Sequence, residues 1–359
     1  MKQTIKLLFA VLTLCVLPYS TYASDTVETH SEEEFDPMAM IMHHIADAHE
    51  WHVISYNNSE GQKTDITIPL PIILIDDGLQ LFMSSAFDHG KKTVQQGKNY
   101  YSLYHGKIYK TDAEGTLNFD DKHEVLNEKP FDLSITKNVA SMWISVLIII
   151  GLFTRAAQLY RKEAGAPKGI QSFLEPLILF VRDDIAYEQM EKEKADKFLP
   201  FLLTLFFFIW INNLIGLIPF FPGGSNLTGN ISLTMVLALI TFFVTNLNGS
   251  KSYWAHIFWM PGAPIAIRPL LAIIEFVGLF TKPFALMIRL FANISAGHII
   301  ILSLMSLIFV MKSLAIAPAS ILMGLMMFML ELLVAALQAY IFTLLSALFI
   351  GMAVKSEEH

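Results

Sequence analysis

The chain has 359 residues, of which 54% are apolar and only 16% are charged. Soluble domains carry about 25% charged residues, so this composition excludes an ordinary soluble protein and favours a membrane protein. The net charge of -7 comes largely from an acidic stretch near the N-terminus, and nothing in the charge pattern indicates nucleic-acid binding.

Residues 1–23 have the pattern of a secretory signal peptide. Two lysines precede an apolar run from Leu7 to Leu17, and Thr21 to Ala23 offer a cleavage site. An uncleaved membrane anchor is the alternative interpretation. The only cysteine, Cys15, lies in this segment, so cleavage predicts a mature chain without disulfides or cysteine-bound metal.

Residues 24–130 are predicted to form a periplasmic extension, acidic at first and then rich in histidine. Four histidines fall within ten positions without a recognised metal-ligand spacing: His43, His44, His49 and His52. Two interpretations stay open for them, a metal site or a solvated amphipathic segment with helical spacing. Further on, alternating runs at Lys107–Lys110 and Thr116–Phe119 flank a Gly-containing turn and predict a β-hairpin.

Residues 131–359 are predicted to form an all-α polytopic membrane domain with five transmembrane helices, because about 20 apolar residues cross a bilayer. The segments are Val139–Tyr160, Phe198–Phe220, Ile231–Leu247, Pro269–Met311 and Pro318–Val354. A shorter run, residues 170–181, predicts an interfacial helix, and the charged residues 182–197 predict a cytoplasmic loop. Basic residues after the first segment place its end in the cytoplasm, so we expect a periplasmic N-terminus and a cytoplasmic C-terminus.

The last two segments are unusually long. As continuous helices each would extend about 55–65 Å, roughly twice the thickness of the hydrocarbon core. We therefore expect both helices to be strongly tilted or bent. No internal repeat stands out in the sequence, which weighs against an inverted-repeat transporter.

These two long helices carry ionisable residues, which are costly inside a membrane and indicate function by default. Arg289 and His298 lie on the first helix, and Glu331 lies on the second. Arginine stays charged at any physiological pH and suits a fixed electrostatic gate, whereas a desolvated histidine and carboxylate suit a proton relay. The alternatives are a structural ion pair of Arg289 with Glu331 or Glu275 and simple helix packing for His298.

Helical spacing sorts the polar residues into faces. His298 lies nine residues beyond Arg289 and therefore on roughly the opposite face of the helix. Glu331 and Gln338 are seven apart and share a face of the last helix, where Gln338 is also consistent with an interhelical hydrogen bond. The stripe that contains Arg289 consists of Glu275, Lys282, Arg289 and Asn293.

Four sequence blocks, in order and at matching spacing, resemble the F-type ATP synthase subunit a family. The blocks are Asn212–Pro219, Asn226–Asn230, Lys282–Asn293 and Glu331–Phe342. The resemblance covers about residues 131–359. The extension over residues 24–130 is longer than typical members carry. The placement of a histidine at 298 and an acid at 331 reverses the pairing of some members.

The resemblance implies roles for six residues in proton translocation. Arg289 would face the rotating c-ring, Glu275 would line the cytoplasmic exit, and His298 with Glu331 would line the outer channel. Asn293 and Gln338 would assist near the arginine. The implied partners are the c-ring, the peripheral-stalk subunit b, indirectly the F1 sector, the lipid bilayer and protons, in the bacterial inner membrane.

The resemblance implies no catalytic site, cofactor or metal in this chain. The glycines at 223 and 224 lack the lysine of a nucleotide-binding loop. Two other classes remain as alternatives, a standalone secondary transporter or channel and a purely structural membrane scaffold. Protons are favoured over sodium by the His298/Glu331 pairing, but the ring site that largely decides ion selectivity is not part of this chain.

Overall fold

The computed structural model describes residues 37–38, 41, 45–57, 63–121, 124–162, 169–218, 221, 223–260 and 263–355. The predicted signal peptide and the histidines at 43 and 44 lie outside these ranges.

The extension folds as antiparallel β-structure. Its described part contains three sheets, and its small core includes the fully buried Ile72, Leu74 and Tyr101. The strands are β1 (Glu50–Asn57) paired with β2 (Lys63–Pro69), β3 (Pro71–Ile75) between β4 (Leu79–Met83) and β8 (Phe131–Asp132), and β6 (Asn99–Tyr104) between β5 (Val94–Gln96) and β7 (Lys107–Thr111). Alternate residues of β3 are buried, as a half-buried strand requires.

The predicted strand at Lys107 forms, but its predicted pairing with Thr116–Phe119 is wrong. β7 pairs instead with β6, with Leu103 opposite Ile108. The two residues that join them, His105 and Gly106, both have positive φ angles, as a two-residue primed turn requires. This shorter connection competes successfully with the four-residue turn, and Phe119 makes only an isolated bridge to Val125.

The helical spacing expected for the histidine cluster is wrong for its two described members, and the expectation of solvation is wrong for His49 but holds for the exposed His52. His49 lies in the bend before β1 and is only 4% exposed, with its Nε2 atom 2.8 Å from Asp132 Oδ2. His52 lies on β1. Within the described ranges no group of three or more His, Cys, Asp or Glu side chains is placed to hold a metal ion.

The described residues after the extension are mostly helical, and the protein is a polytopic α-helical membrane protein with a β-structured extension. The helices are α1 (Lys137–Lys162), α2 (Ile170–Phe180), α3 (Lys192–Leu217), α4 (Ile231–Leu247), α5 (Lys251–Phe258), α6 (Arg268–Val310) and α7 (Ala317–Val354). In the described part of the chain, α1, α3, α6 and α7 are long and apolar enough to cross a membrane. Helices α4 and α5 meet at a 104° bend and together could supply a fifth span.

The prediction of two very long helices near the C-terminus is confirmed. Helix α6 has 43 residues and α7 has 38, which correspond to roughly 65 and 57 Å. Each carries a proline in its first turn, where the missing N–H donor costs nothing.

The predicted charged loop over residues 182–197 is wrong, because this region is largely helical. A π-helical stretch, Val181–Ala186, continues directly from α2, and α3 already begins at Lys192. Ile185 and Ala186 are fully buried between charged neighbours that face outward. The charges therefore lie on the solvent side of an amphipathic helix. A high content of charged residues does not distinguish such a helix from a loop.

Packing differs sharply between the helices. Helix α3 buries most of one side against α7, with Leu202 and Ile350 fully buried. Helix α6 instead exposes a broad apolar face that includes Phe276, Phe284 and Ile288. An apolar face of this size is covered by lipid or by a partner protein.

Candidate functional site

The closest contact between ionisable side chains of the two long helices joins His298 on α6 to Glu331 on α7. The Nδ1 atom of His298 lies 2.7 Å from Oε1 of Glu331, and the side chains are 17% and 3% exposed. Nδ1 also lies 3.0 Å from the carbonyl oxygen of Ile294, and Nε2 lies 3.4 Å from that of Gly216. A carboxylate this deeply buried is stabilised in its charged form only by a close partner.

The carboxylate of Glu331 does not use its full hydrogen-bonding capacity within the described part of the protein. Its contact with His298 is close but poorly aligned, and neither oxygen has a hydrogen-bond partner among the residues that the structure describes. The carboxyl group of Glu331 therefore has hydrogen-bonding capacity that the described protein groups do not use.

Two glycines near His298 and Glu331 lie where a larger residue would come too close to neighbouring atoms. A Cβ atom added to Gly297 would lie 2.8 Å from Oε1 of Glu331, closer than real side chains allow. One added to Gly216 would lie 3.0 Å from the carbonyl oxygen of Ser225 and 3.8 Å from Nε2 of His298. Gly297 therefore leaves space for the Glu331 carboxylate, and Gly216 lets the backbone of Ser225 approach α3 closely beside His298.

The pair faces a cavity of about 470 Å³, here called the His298 cavity. A water molecule occupies about 30 Å³ in the liquid, so this volume has space for several. Its walls come from α3, α6, α7 and the extension, and most of its lining is apolar. His298 and Glu331 are the ionisable side chains among the described residues that line it.

The sequence block at Asn212–Pro219 anchors the helices around this cavity. The Nδ2 group of Asn213 donates to the carbonyl oxygen of Ala335 at 3.2 Å, and its Oδ1 accepts from the Thr228 hydroxyl at 2.6 Å. Asn213 is 3% exposed, so it ties α3, α7 and the loop before α4 together through buried hydrogen bonds. The block at Asn226–Asn230 shapes that loop, since Asn230 caps α4 by accepting from the N–H of Ser232.

A second cavity, also of about 470 Å³, lies elsewhere and is called the Glu275 cavity. Glu275 and Lys282 of α6 line it, together with Tyr253 and His256 of α5 and Lys355 at the end of α7. The ammonium of Lys282 lies 5.7 Å from the ring centre of Phe349. This cavity is more polar than the His298 cavity and carries several charges of both signs.

The remaining predicted site residues lie outside both cavities. Arg289 and Asn293 are exposed on α6, on a face that also carries exposed apolar side chains. Arg289 forms no hydrogen bond or ion pair with any residue in the described ranges, so neither predicted structural pair, with Glu331 or with Glu275, is present there. Gln338 is 3% exposed on α7.

A third polar cluster belongs to the extension and has a different character. Asp76 accepts hydrogen bonds from Asn99 and Tyr101 at 2.9 Å each and from Lys110 at 3.2 Å. Burial raises the pKa of Asp76, but these donors outweigh it and hold the pKa below its ordinary value. Burial and the neighbouring carboxylate raise the pKa of Tyr101 to about 12.

Sequence reasoning missed several residues of these sites. Gly216 and Gly297 carry the one available signal, since a glycine inside a helix costs about 1 kcal/mol relative to alanine and needs a compensating reason. Tyr253 and His256 join the Glu275 cavity from a separate helix, which no spacing rule connects to α6. Ile45 of the extension lines the His298 cavity, and nothing in the sequence indicates that contact.

The fold and the sites together define a polytopic membrane protein with a buried acid–base pair in a cavity between helices. A family model described as ATP synthase A chain matches residues 139–351. A second model, described as a domain of unknown function, matches residues 40–133.

Curated relatives named ATP synthase subunit a are also similar to this chain. ATP synthase subunit a of Chloroherpeton thalassium is 47% identical over 236 residues, which cover 64% of this chain and 69% of the relative. The subunit of that name from Chlorobium phaeobacteroides is 45% identical over 237 residues, covering 64% and 68%. That from an Anaeromyxobacter species is 45% identical over 236 residues, covering 64% and 56%. The chain therefore belongs to the ATP synthase subunit a family.

Proposed function

We propose that this chain is the proton-translocating stator subunit of an F-type ATP synthase in a bacterial inner membrane. One observation carries the proposal: a buried histidine–carboxylate pair faces a cavity, while Arg289, which has no ion-pair partner among the described residues, stands on a different, exposed face of the same helix. The pair can exchange protons, and the arginine cannot.

Arg289 supports a partner that covers α6. Its guanidinium is permanently charged, yet it stands among exposed apolar side chains such as Phe284 and Ile288. A charge at such a place in a membrane requires a counter-charge or water. A ring of subunits that each carry a carboxylate would supply one, and the arginine would favour the ionised form of each carboxylate that passes.

The proposed path has two halves. A proton reaches His298 and Glu331 through the His298 cavity and protonates a ring carboxylate. After nearly a full rotation that carboxylate releases the proton towards the Glu275 cavity. Arg289 keeps the halves apart because an ionised carboxylate beside it does not carry a proton past it. Asn293 and Gln338 assist near the arginine.

The proposed topology has five spans, with α4 and α5 supplying one of them. The N-terminus is periplasmic after removal of a signal peptide, the C-terminus is cytoplasmic, and α6 and α7 are strongly tilted. Nucleotide chemistry belongs to the F1 sector, which this chain reaches indirectly, and the peripheral-stalk subunit b holds it in place. The chain has no catalytic site of its own and needs no cofactor.

ATP-driven acidification of inverted membrane vesicles tests this proposal with Arg289→Ala. We expect pumping to fall to background at matched assembly, since a permanent charge at the ring contact is lost. Arg155→Ala is the matched control, because Arg155 is exposed on α1, and it should pump at close to the wild-type rate. Pumping by Arg289→Ala near the wild-type rate would contradict the mechanism and favour a structural scaffold.

The transported ion is tested in the same vesicles. Acidification that persists without sodium and collapses with a protonophore supports protons. A requirement for sodium, with indifference to the protonophore, contradicts them. Ion transport by the purified chain alone, without a ring, would instead favour a standalone transporter or channel.

A further inference from the structure

The extension contributes directly to a wall of the His298 cavity. Ile45, which precedes β1, lines the cavity together with Gly224 from the loop before α4 and with His298 and Glu331 from the long helices. The β-structured domain, which matches a family of unknown function, is therefore in contact with the cavity that holds the acid–base pair.

A buried tryptophan joins the extension to the loop at this cavity. Trp51 is 2% exposed, and its indole Nε1 donates to the carbonyl oxygen of Gly223 at 3.2 Å. Its ring packs edge-on against Phe221 with the centroids 5.0 Å apart. Because Gly224 follows directly and lines the cavity, the indole fixes part of the cavity wall.

The same segment of the extension also holds the start of α1. The carbonyl oxygen of Ala48 accepts from the backbone N–H of Lys137 at 2.8 Å, and Oδ1 of Asp47 accepts from that of Asn138 at 3.1 Å. These two N–H groups belong to the first turn of the helix, which has no partners within the helix itself. The Asn138 side chain then accepts from the Ser225 hydroxyl at 2.6 Å.

Residues 45–51, here called the collar segment, thus connect to two elements through buried polar contacts. They hold the first turn of α1 and the loop 221–225, and these two elements also hold each other. Asn138 is 5% exposed and Ser225 is fully buried, so water competes little with these hydrogen bonds.

We propose that the collar segment forms a fixed part of the proton-access path to His298 and Glu331, and that controlling this access is the function of the β-structured extension. The proposal rests on the proposed function, because it assigns the His298 cavity to proton access. It differs from the alternative that the extension is an independent docking module, in which case the cavity would work without it.

The test is chemical modification of Ile45→Cys in the assembled complex. A charged, membrane-impermeant methanethiosulfonate reagent is applied from the side of the extension, and proton pumping is measured before and after. We expect modification to lower pumping by about fivefold or more, since a bulky charged group obstructs a proton path. The control is Leu126→Cys, at a position of the extension that is 66% exposed, where modification should change pumping little.

This experiment distinguishes failure of the proposed function from failure of the proposed role of the collar segment. Pumping by the wild-type complex before reaction reports the proposed function, whereas the change after reaction reports the role of the collar segment. Complete modification of Ile45→Cys with unchanged pumping would overturn the access path. Failure of that cysteine to react, while Leu126→Cys reacts, would overturn the placement of residue 45 on a water-filled cavity.

A second variant tests the collar segment without chemical modification. Trp51→Phe keeps an aromatic ring but removes the indole donor to Gly223, and we expect pumping to fall by about threefold through a displaced cavity wall. Trp143→Phe, at an exposed position of α1, is the matched control. Subunit content should stay unchanged in both variants. Pumping by Trp51→Phe equal to that of Trp143→Phe would contradict the proposal.

Discussion

The extension and the membrane helices each hold a carboxylate with little exposure to solvent, half-buried for Asp76 and buried for Glu331, and their hydrogen-bond partners differ. Asp76 in the extension receives hydrogen bonds from three side chains. Glu331 in the membrane part has one close contact, with His298, and no aligned donor among the described residues. A carboxylate held by three donors stabilises a fold, whereas one beside a cavity keeps hydrogen-bonding capacity for groups that enter the cavity.

The same contrast separates the two membrane cavities. The His298 cavity is mostly apolar and contains one tightly coupled pair, whereas the Glu275 cavity carries separate charges and polar groups from three helices. A proton that enters an apolar cavity depends on the few groups available there. A polar cavity offers several groups that can pass a proton, so we expect single substitutions there to reduce pumping less.

Among the substitutions that test this contrast, Gly297→Ala is expected to reduce proton pumping the most. The added methyl group would press on the Glu331 carboxylate at 2.8 Å and force the pair apart. We expect proton pumping to fall about tenfold, as small misplacements of proton-transfer groups often do. Vesicle acidification at matched assembly measures the effect.

Gly151→Ala is the control for Gly297→Ala, since a Cβ at residue 151 of α1 meets nothing within 4 Å. It should leave pumping unchanged and slightly favour the helix. Equal pumping by the two variants would mean that the close approach of Glu331 to α6 is unimportant.

A smaller effect is expected for Glu275→Gln. Because this side chain is only partly buried and shares its cavity with His256 and Lys282, we expect pumping to fall by roughly twofold to threefold. Glu188→Gln, at an exposed position outside the cavity, serves as the control in the same acidification assay. A loss as large as that for Gly297→Ala would break the contrast between the cavities.

The smallest effect on transport is expected for Asp76→Asn, which should leave pumping unchanged and lower the stability of the extension by about 1 kcal/mol. The folded pKa of Asp76 is lowered, so its stabilisation is complete above the ordinary carboxyl pKa of about 3.9 and is lost as the pH falls through the folded value. Tyr101, with its raised pKa, contributes below about pH 10 and loses that contribution as the pH rises through about 12.

Hydrogen exchange of the extension in the intact complex measures this pH dependence. Protection should be flat between about pH 5 and 9 and should decrease below about pH 4 in the wild type, less so in Asp76→Asn. A large loss of protection between pH 8 and 6 would contradict the assignment of Asp76 as the structural carboxylate.

The membrane part could be predicted from sequence far better than the extension. Long apolar runs with a proline at the start fix the bounds of α6 and α7, because hydrophobic length and the missing proline donor are local properties. The pairing of β7 with β6 was missed, because the decisive turn at His105 and Gly106 lacks a strong sequence signal.

The candidate site could be predicted only in part, for a similar reason. His298 and Glu331 stood out as ionisable residues in apolar helices, but their 2.7 Å contact depends on the packing of α6 against α7. The contact between Trp51 and Gly223 joins residues 172 positions apart and has no local signature. Helical spacing finds residues on one helix face, and it cannot find partners from another element.

If His298 and Glu331 act as one acid–base unit on the proton path, a double-mutant cycle should show it most directly. Pumping is measured for His298→Ala, Glu331→Ala and the double variant, each normalised to the amount of assembled complex. We expect the double variant to pump no more slowly than the slower single variant, because either substitution alone disables the unit. Losses that multiply in the double variant would contradict it, since they would mean that the two residues act independently.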